Sequence, residues 1–191
     1  MSETHLSWYR EGRLDASGFR AVTDHLARSG LALEHPQSGC GMLLDVTGEQ
    51  VRWPAGRVLD LLGLSLGPLC VQFWLSADTD VVCAVRYVAP DAQVLTFTLD
   101  GLTESERQRA EAAVQRLVRW DADGTVALLV DEGGRTAEED DDALVLYGRL
   151  PKGPRPDRVL FRTDRLGTVP AVLDGAEVTD HGDGLSTVRW K

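Results

Sequence analysis

The stretch from Leu69 to Arg119 constrains this chain most, because it carries the signature of three strands followed by an amphipathic helix. Leu69, Val71, Phe73 and Leu75 alternate with Cys70, Gln72 and Trp74, the period of two expected of a strand with one buried face. Ser76-Ala77-Asp78-Thr79 has turn composition, and Val81, Cys83, Val85 and Tyr87 then share a face, so the pair reads as a β-hairpin. Ala89-Pro90-Asp91 supplies the next turn. Leu95, Phe97 and Leu99 face inward beyond it, opposite the β-branched Val94, Thr96 and Thr98. The helix opens with Thr103 and Glu106 at capping-box spacing. Ala110, Ala113, Val114, Leu117 and Val118 make one apolar stripe along it.

Shorter signals flank this centre. Leu6–Arg10 reads as a strand, and a helix runs from about Asp15 to Ser29, stopped by Gly30. Met42–Val46 and Gln50–Trp53 form a hairpin, and Arg57–Leu62 is a helical turn or two. Thr125–Val130 is a strand, residues 131–142 an acidic loop, and Ala143–Gly148 a further strand. Leu150-Pro151-Lys152-Gly153-Pro154-Arg155-Pro156 is the strongest linker signal, followed by β-like pieces at Arg158–Arg162, Val169–Leu173 and Leu185–Trp190. So short a tail is marginal as an independent domain. The expected organisation is a main domain over 1–149, with a β-rich C-terminal extension over 150–191 packed on it. The expected fold is α+β: a largely antiparallel β-sheet with two principal helices, one on or near each face.

Charge and motif content exclude several functions. The chain has 191 residues, 43% of them hydrophobic and 26% charged, with a formal net charge of −10. That acidity argues against a nucleic-acid backbone or an anionic membrane as partner, and leaves room for a basic protein. No apolar leader opens the sequence, and its most apolar window, Val58–Leu75, is broken by Asp60, Gly63, Gly67 and Pro68. Cys40, Cys70 and Cys83 have no paired spacing, which fits reduced thiols and a cytoplasmic location. The sequence lacks G-x-G-x-x-G, Walker, H-E-x-x-H and C-x-x-C motifs, so no cofactor is expected.

Three constellations carry chemical interest. Gly63-Leu64-Ser65-Leu66-Gly67 matches the nucleophile elbow G-x-S-x-G, and Asp174 or Asp180 with His181 would complete a Ser…Asp…His order. Its context opposes that reading: a helix-like stretch precedes it, Pro68 and a strand follow, and the leucines suit a buried connection. Glu177, Asp180, His181 and Asp183 have the donor types of a divalent metal site, but also the composition of an exposed turn. Glu138, Glu139, Asp140, Asp141 and Asp142 form a run that attracts a basic partner or stays solvated. Trp74, on the strand face opposite Val71 and Phe73, is either covered by the N-terminal elements or part of an aromatic binding surface.

Two functional classes follow. The first is a non-enzymatic protein-binding module of adaptor, inhibitor, immunity or chaperone type, using Trp74 and the acidic run. The alternative is a small hydrolase or metal-assisted enzyme built on Ser65 or the group around His181.

Overall fold

The computed structural model describes residues 4–89 and 91–190, with the side chains of Ala89, Glu138 and Glu139 set aside. Pro90 of the expected turn lies outside the described residues. The chain runs β1 (His5–Glu11), α1 (Ala16–Arg28), β2 (Cys40–Leu44), β3 (Gln50–Pro54), α2 (Ala55–Gly63), β4 (Leu69–Ser76), β5 (Thr79–Ala89) and β6 (Ala92–Thr98). It continues through α3 (Glu104–Trp120), β7 (Thr125–Asp131), α4 (Glu138–Tyr147), β8 (Arg158–Arg162), β9 (Ala176–Asp180) and β10 (Leu185–Trp190). All ten strands form one sheet in the order β3-β2-β4-β5-β6-β1-β7-β8-β10-β9. Every pairing is antiparallel. The fold is α+β with a β-rich C-terminus.

The central stretch folds as its local pattern dictates. Val71 pairs with Cys83, Phe73 with Val81, and Cys83 in turn with Phe97, so the apolar residues of β4, β5 and β6 share one face. The α3 capping box closes: Oγ1 of Thr103 accepts from the Glu106 amide, and the Glu106 carboxylate accepts from the Thr103 amide at 2.8 Å. The Thr103 hydroxyl and amide together hold the Glu106 carboxyl below its usual pKa. All five stripe residues of α3 are fully buried against the sheet.

This first face also carries α1 and α2. Phe19, Val22 and Leu26 of α1 and Val58, Leu59 and Leu62 of α2 join the same core as Leu6, Trp8, Phe73, Phe97 and Leu117. The expectation of one principal helix on each face is therefore corrected, since both pack on the same side. The second face has a smaller core, in which Tyr9, Val94, Leu129, Phe161 and Val188 meet Leu144 and Val145 of α4, with Val169 between two short 3-10 turns and Val172 from the second.

Those 3-10 turns, Thr163–Thr168 and Pro170–Leu173, replace the strand expected over Val169–Leu173. Pro170 sits at the start of the second, where its missing N–H costs nothing; in a strand it would leave a gap in the ladder. The extra strand is instead β9. After the Pro-rich connection, β8 pairs with β7 and is followed outward by β10 and β9, so the C-terminal segment extends the main sheet.

Candidate functional site

The acidic run is not a loop, and Ala143–Gly148 is not a strand: together they form α4. Acidic residues over its first turns complement the positive end of the helix dipole. Gly148 ends it in the left-handed conformation at φ 60°. The Gly148 amide bonds the Leu144 carbonyl at 3.1 Å, the 5→1 bond of an αL stop, and the Arg149 amide reaches back to the Ala143 carbonyl at 3.0 Å. Asp141, Leu144 and Val145 are spaced i, i+3, i+4, so one helix face carries two apolar anchors and a carboxylate onto the sheet.

The sheet answers that carboxylate with polar side chains from β1 and β5. Asp141, only 2% exposed, lies 2.9 Å from Nε2 of His5. The Tyr9 hydroxyl donates to Asp142 at 2.8 Å, and both terminal nitrogens of Arg86 reach the same carboxylate at 3.2 and 3.3 Å. Burial, then the negative charges of Asp142 and Asp141, push the Tyr9 phenol well above its ordinary pKa. At the entrance to α4, the buried Asp131 accepts from the Arg135 and Thr136 amides and from the Thr136 hydroxyl. Asp141 and Asp142 are thus turned inward rather than solvated, which corrects the expectation of a free acidic loop. The side chains of Glu138 and Glu139 lie outside the described residues, and Asp140 is half-buried on the same helix.

Trp74 belongs to the same face of the sheet. It alternates with Phe73 of the first core, so Cys70, Gln72 and Trp74 project on the α4 side. The indole is buried. Residues 32–35 cover it: Ala32 exchanges backbone hydrogen bonds with Trp74 at 3.0 and 2.7 Å, and the His35 ring meets the indole edge-on with centroids 4.4 Å apart. Of the two readings, coverage by N-terminal residues is what the structure shows. Beside it, Gln72 donates to Asp80 of β5 at 2.6 Å.

Two polar atoms on this strand face remain unmatched. Nε1 of Trp74 and Oε1 of Gln72 are both buried, and neither has a hydrogen-bond partner among the described residues. An orphan donor thus stands two residues from an orphan acceptor, each carrying a desolvation penalty of ~1–3 kcal/mol until matched. The surrounding Leu44, Cys70, Val82, Ala84 and Thr98 are half-buried and belong to neither core. Arg86 connects this patch to α4 through Asp142, so Trp74 and Asp142 lie on the same face of the sheet.

Ser65 and His181 do not assemble, while Glu177 and His181 line one shallow cavity with Thr187 and Arg189. Ser65 lies in the loop before β4 with a left-handed backbone (φ 55°). Among the described residues no histidine or carboxylate hydrogen-bonds its hydroxyl, and the sheet order puts β4 and β9 near opposite ends, far from His181. Leu64 and Leu66 around it are exposed, not buried as the motif context suggested. His181 is 2.7 Å from the Thr187 hydroxyl, Asp180 accepts from the Gly182 amide, and Asp183 accepts from Arg119 at 3.0 Å. Glu177 stands on the exposed strand β9. Among the described residues no group of three or more His, Cys, Asp or Glu side chains is placed to hold a metal ion.

Sequence reasoning missed the α4 network and the Gln72–Trp74 pair. A signal for the first was present: acids, then Leu144-Val145-Leu146, then Gly148, is the order of a helix with a C-terminal glycine. Nothing local announces the second. Comparison with protein families, with curated proteins and with solved structures finds no match to this chain. Among the described residues no helix is long and apolar enough to cross a membrane.

Proposed function

We propose that this chain is a non-enzymatic protein-binding module that seats a polypeptide partner on the second sheet face, over β4 and β5. The observation that carries this reading is the buried, unmatched Trp74 donor beside the unmatched Gln72 acceptor. A peptide backbone that displaces the cover of residues 32–35 brings both complementary groups, a carbonyl for the indole N–H and an N–H for the amide oxygen. The small and β-branched side chains around them, Val82, Ala84 and Thr98, are only half-buried, so a partner would find them accessible. Carboxylates of Asp80 and Asp142 border the patch on a chain of net charge −10, which favours a basic partner and speeds its encounter.

The test is affinity capture from host lysate with the wild-type chain, Ala84→Arg and Trp74→Phe. Ala84→Arg places a long cation in the middle of the patch and should abolish capture while leaving the circular dichroism spectrum unchanged. Trp74→Phe removes the indole donor together with part of the buried ring packed on His35, and should weaken binding about fivefold or more, the worth of at least one hydrogen bond of ~1 kcal/mol. A partner captured equally well by both variants would rule the patch out. A clean bait would count against the binding reading as a whole.

A further inference from the structure

The sheet ends in two unpaired edges among the described residues, β3 and β9, and they are not equivalent. In each hairpin the turn fixes which backbone groups point outward. The His181 amide bonds the Leu185 carbonyl at 3.1 Å, so 181/185 is a hydrogen-bonded pair, and the alternation makes 179/187 and 177/189 bonded pairs as well. The N–H and C=O groups of Ala176, Val178 and Asp180 therefore face outward. By the same phase, set by the Asp45 amide on the Glu49 carbonyl at 3.0 Å, the outward residues of β3 are Gln50, Arg52 and Pro54.

We propose that two copies of this chain pair through β9, antiparallel about a two-fold axis at Val178, joining their sheets into one. Val178 and the partner's Val178 exchange both backbone hydrogen bonds, and Ala176 does the same with the partner's Asp180 on either side. None of these residues is proline, so no donor is missing. The side chains agree with the register. Val178, exposed in the single chain at 43%, meets its symmetry mate beside its own cross-strand neighbour Val188. Glu177 stands opposite the partner's Thr179, and its own cross-strand neighbour is Arg189, so no two like charges are directly opposed.

The same operation on β3 fails. Its axis falls on Arg52, which places two guanidinium groups face to face, and Pro54 has no N–H to give. An isologous contact on β9 closes after two copies, whereas β3 joined to β9 would propagate without end. This inference is independent of the partner-binding patch on β4 and β5.

Sedimentation equilibrium of the full chain from micromolar to millimolar concentration tests it, with Val178→Lys and Arg52→Glu as variants. The wild type should show a monomer–dimer equilibrium. Val178→Lys, which sets two cations on the axis, should weaken it about tenfold or more, with the thermal melt unchanged. Arg52→Glu should leave it as it was. Hydrogen exchange on the wild type gives a readout that needs no variant: the amides of Ala176, Val178 and Asp180 should become protected as concentration rises. A wild type that stays monomeric, a dimer indifferent to Val178→Lys, association lost on Arg52→Glu, or amides of β9 that stay unprotected would each overturn the proposal.

Discussion

Leu6 and Trp8 of β1 point into a core of aliphatic and aromatic side chains from three helices, while His5, Ser7 and Tyr9 on the same strand point into polar contacts. On the first face, burial itself is the stabilising term, and it is indifferent to the exact partner. The Trp8 indole still finds an acceptor there, the Thr125 hydroxyl at 2.9 Å. On the second face, α4 is anchored by Leu144 and Val145 but positioned by Asp141 and Asp142, whose hydrogen bonds require particular donors at particular places. The difference teaches that apolar packing on one face can set how tightly a sheet holds together, while a polar network on the other sets where an added helix must sit.

The largest expected effect belongs to the first face. Phe97→Ala, at a fully buried position against Phe73, should cost ~3–5 kcal/mol in urea unfolding. Asp141→Ala on the second face should cost less, ~1–3 kcal/mol, by removing the buried hydrogen bond between this carboxylate and His5. Retained stability in that variant, with α4 amides still protected from exchange, would break the comparison by showing that packing alone places α4. Thr103→Ala opens the α3 capping box and should cost about 1 kcal/mol, with fraying confined to the first turn of that helix.

The pH-dependent effect belongs to Tyr9, and it appears only in alkali. Its phenol is neutral in the folded chain and held above its ordinary pKa by burial and by the charge of Asp142. Above about pH 10 the unfolded chain releases this proton while the folded chain keeps it. Folding stability should therefore be complete below that pH and fall as pH rises toward the folded pKa. Urea midpoints of the wild type and Tyr9→Phe, followed from neutral pH into alkali, check this: the fall should be shallower in the variant. Parallel curves would place the alkaline sensitivity elsewhere.

What was legible in the sequence was local. The strands β4, β5 and β6 announced themselves by alternation, and α3 by a cap and a stripe, because each of those patterns is completed within one element or a hairpin. The misread segments depended on distant partners. Asp141 and Asp142 look solvated until His5, Tyr9 and Arg86 are brought beneath them from strands 56 to 136 residues away. Of the candidate site, the sequence pointed to Trp74 and the acidic run separately, and only the fold turned Trp74, Asp141 and Asp142 toward the same face of the sheet.

The sequence by itself determined the α+β class, the hairpin of β4 and β5, the capped helix α3 and the acidic character of the chain, since propensity, periodicity and capping act over a few residues. Tertiary structure alone decided that β1 lies between β6 and β7, that α1, α2 and α3 share one face, and that β9 forms an edge. Strand order and the matching of buried polar groups are set by contacts across the whole chain, and no short window of residues contains them.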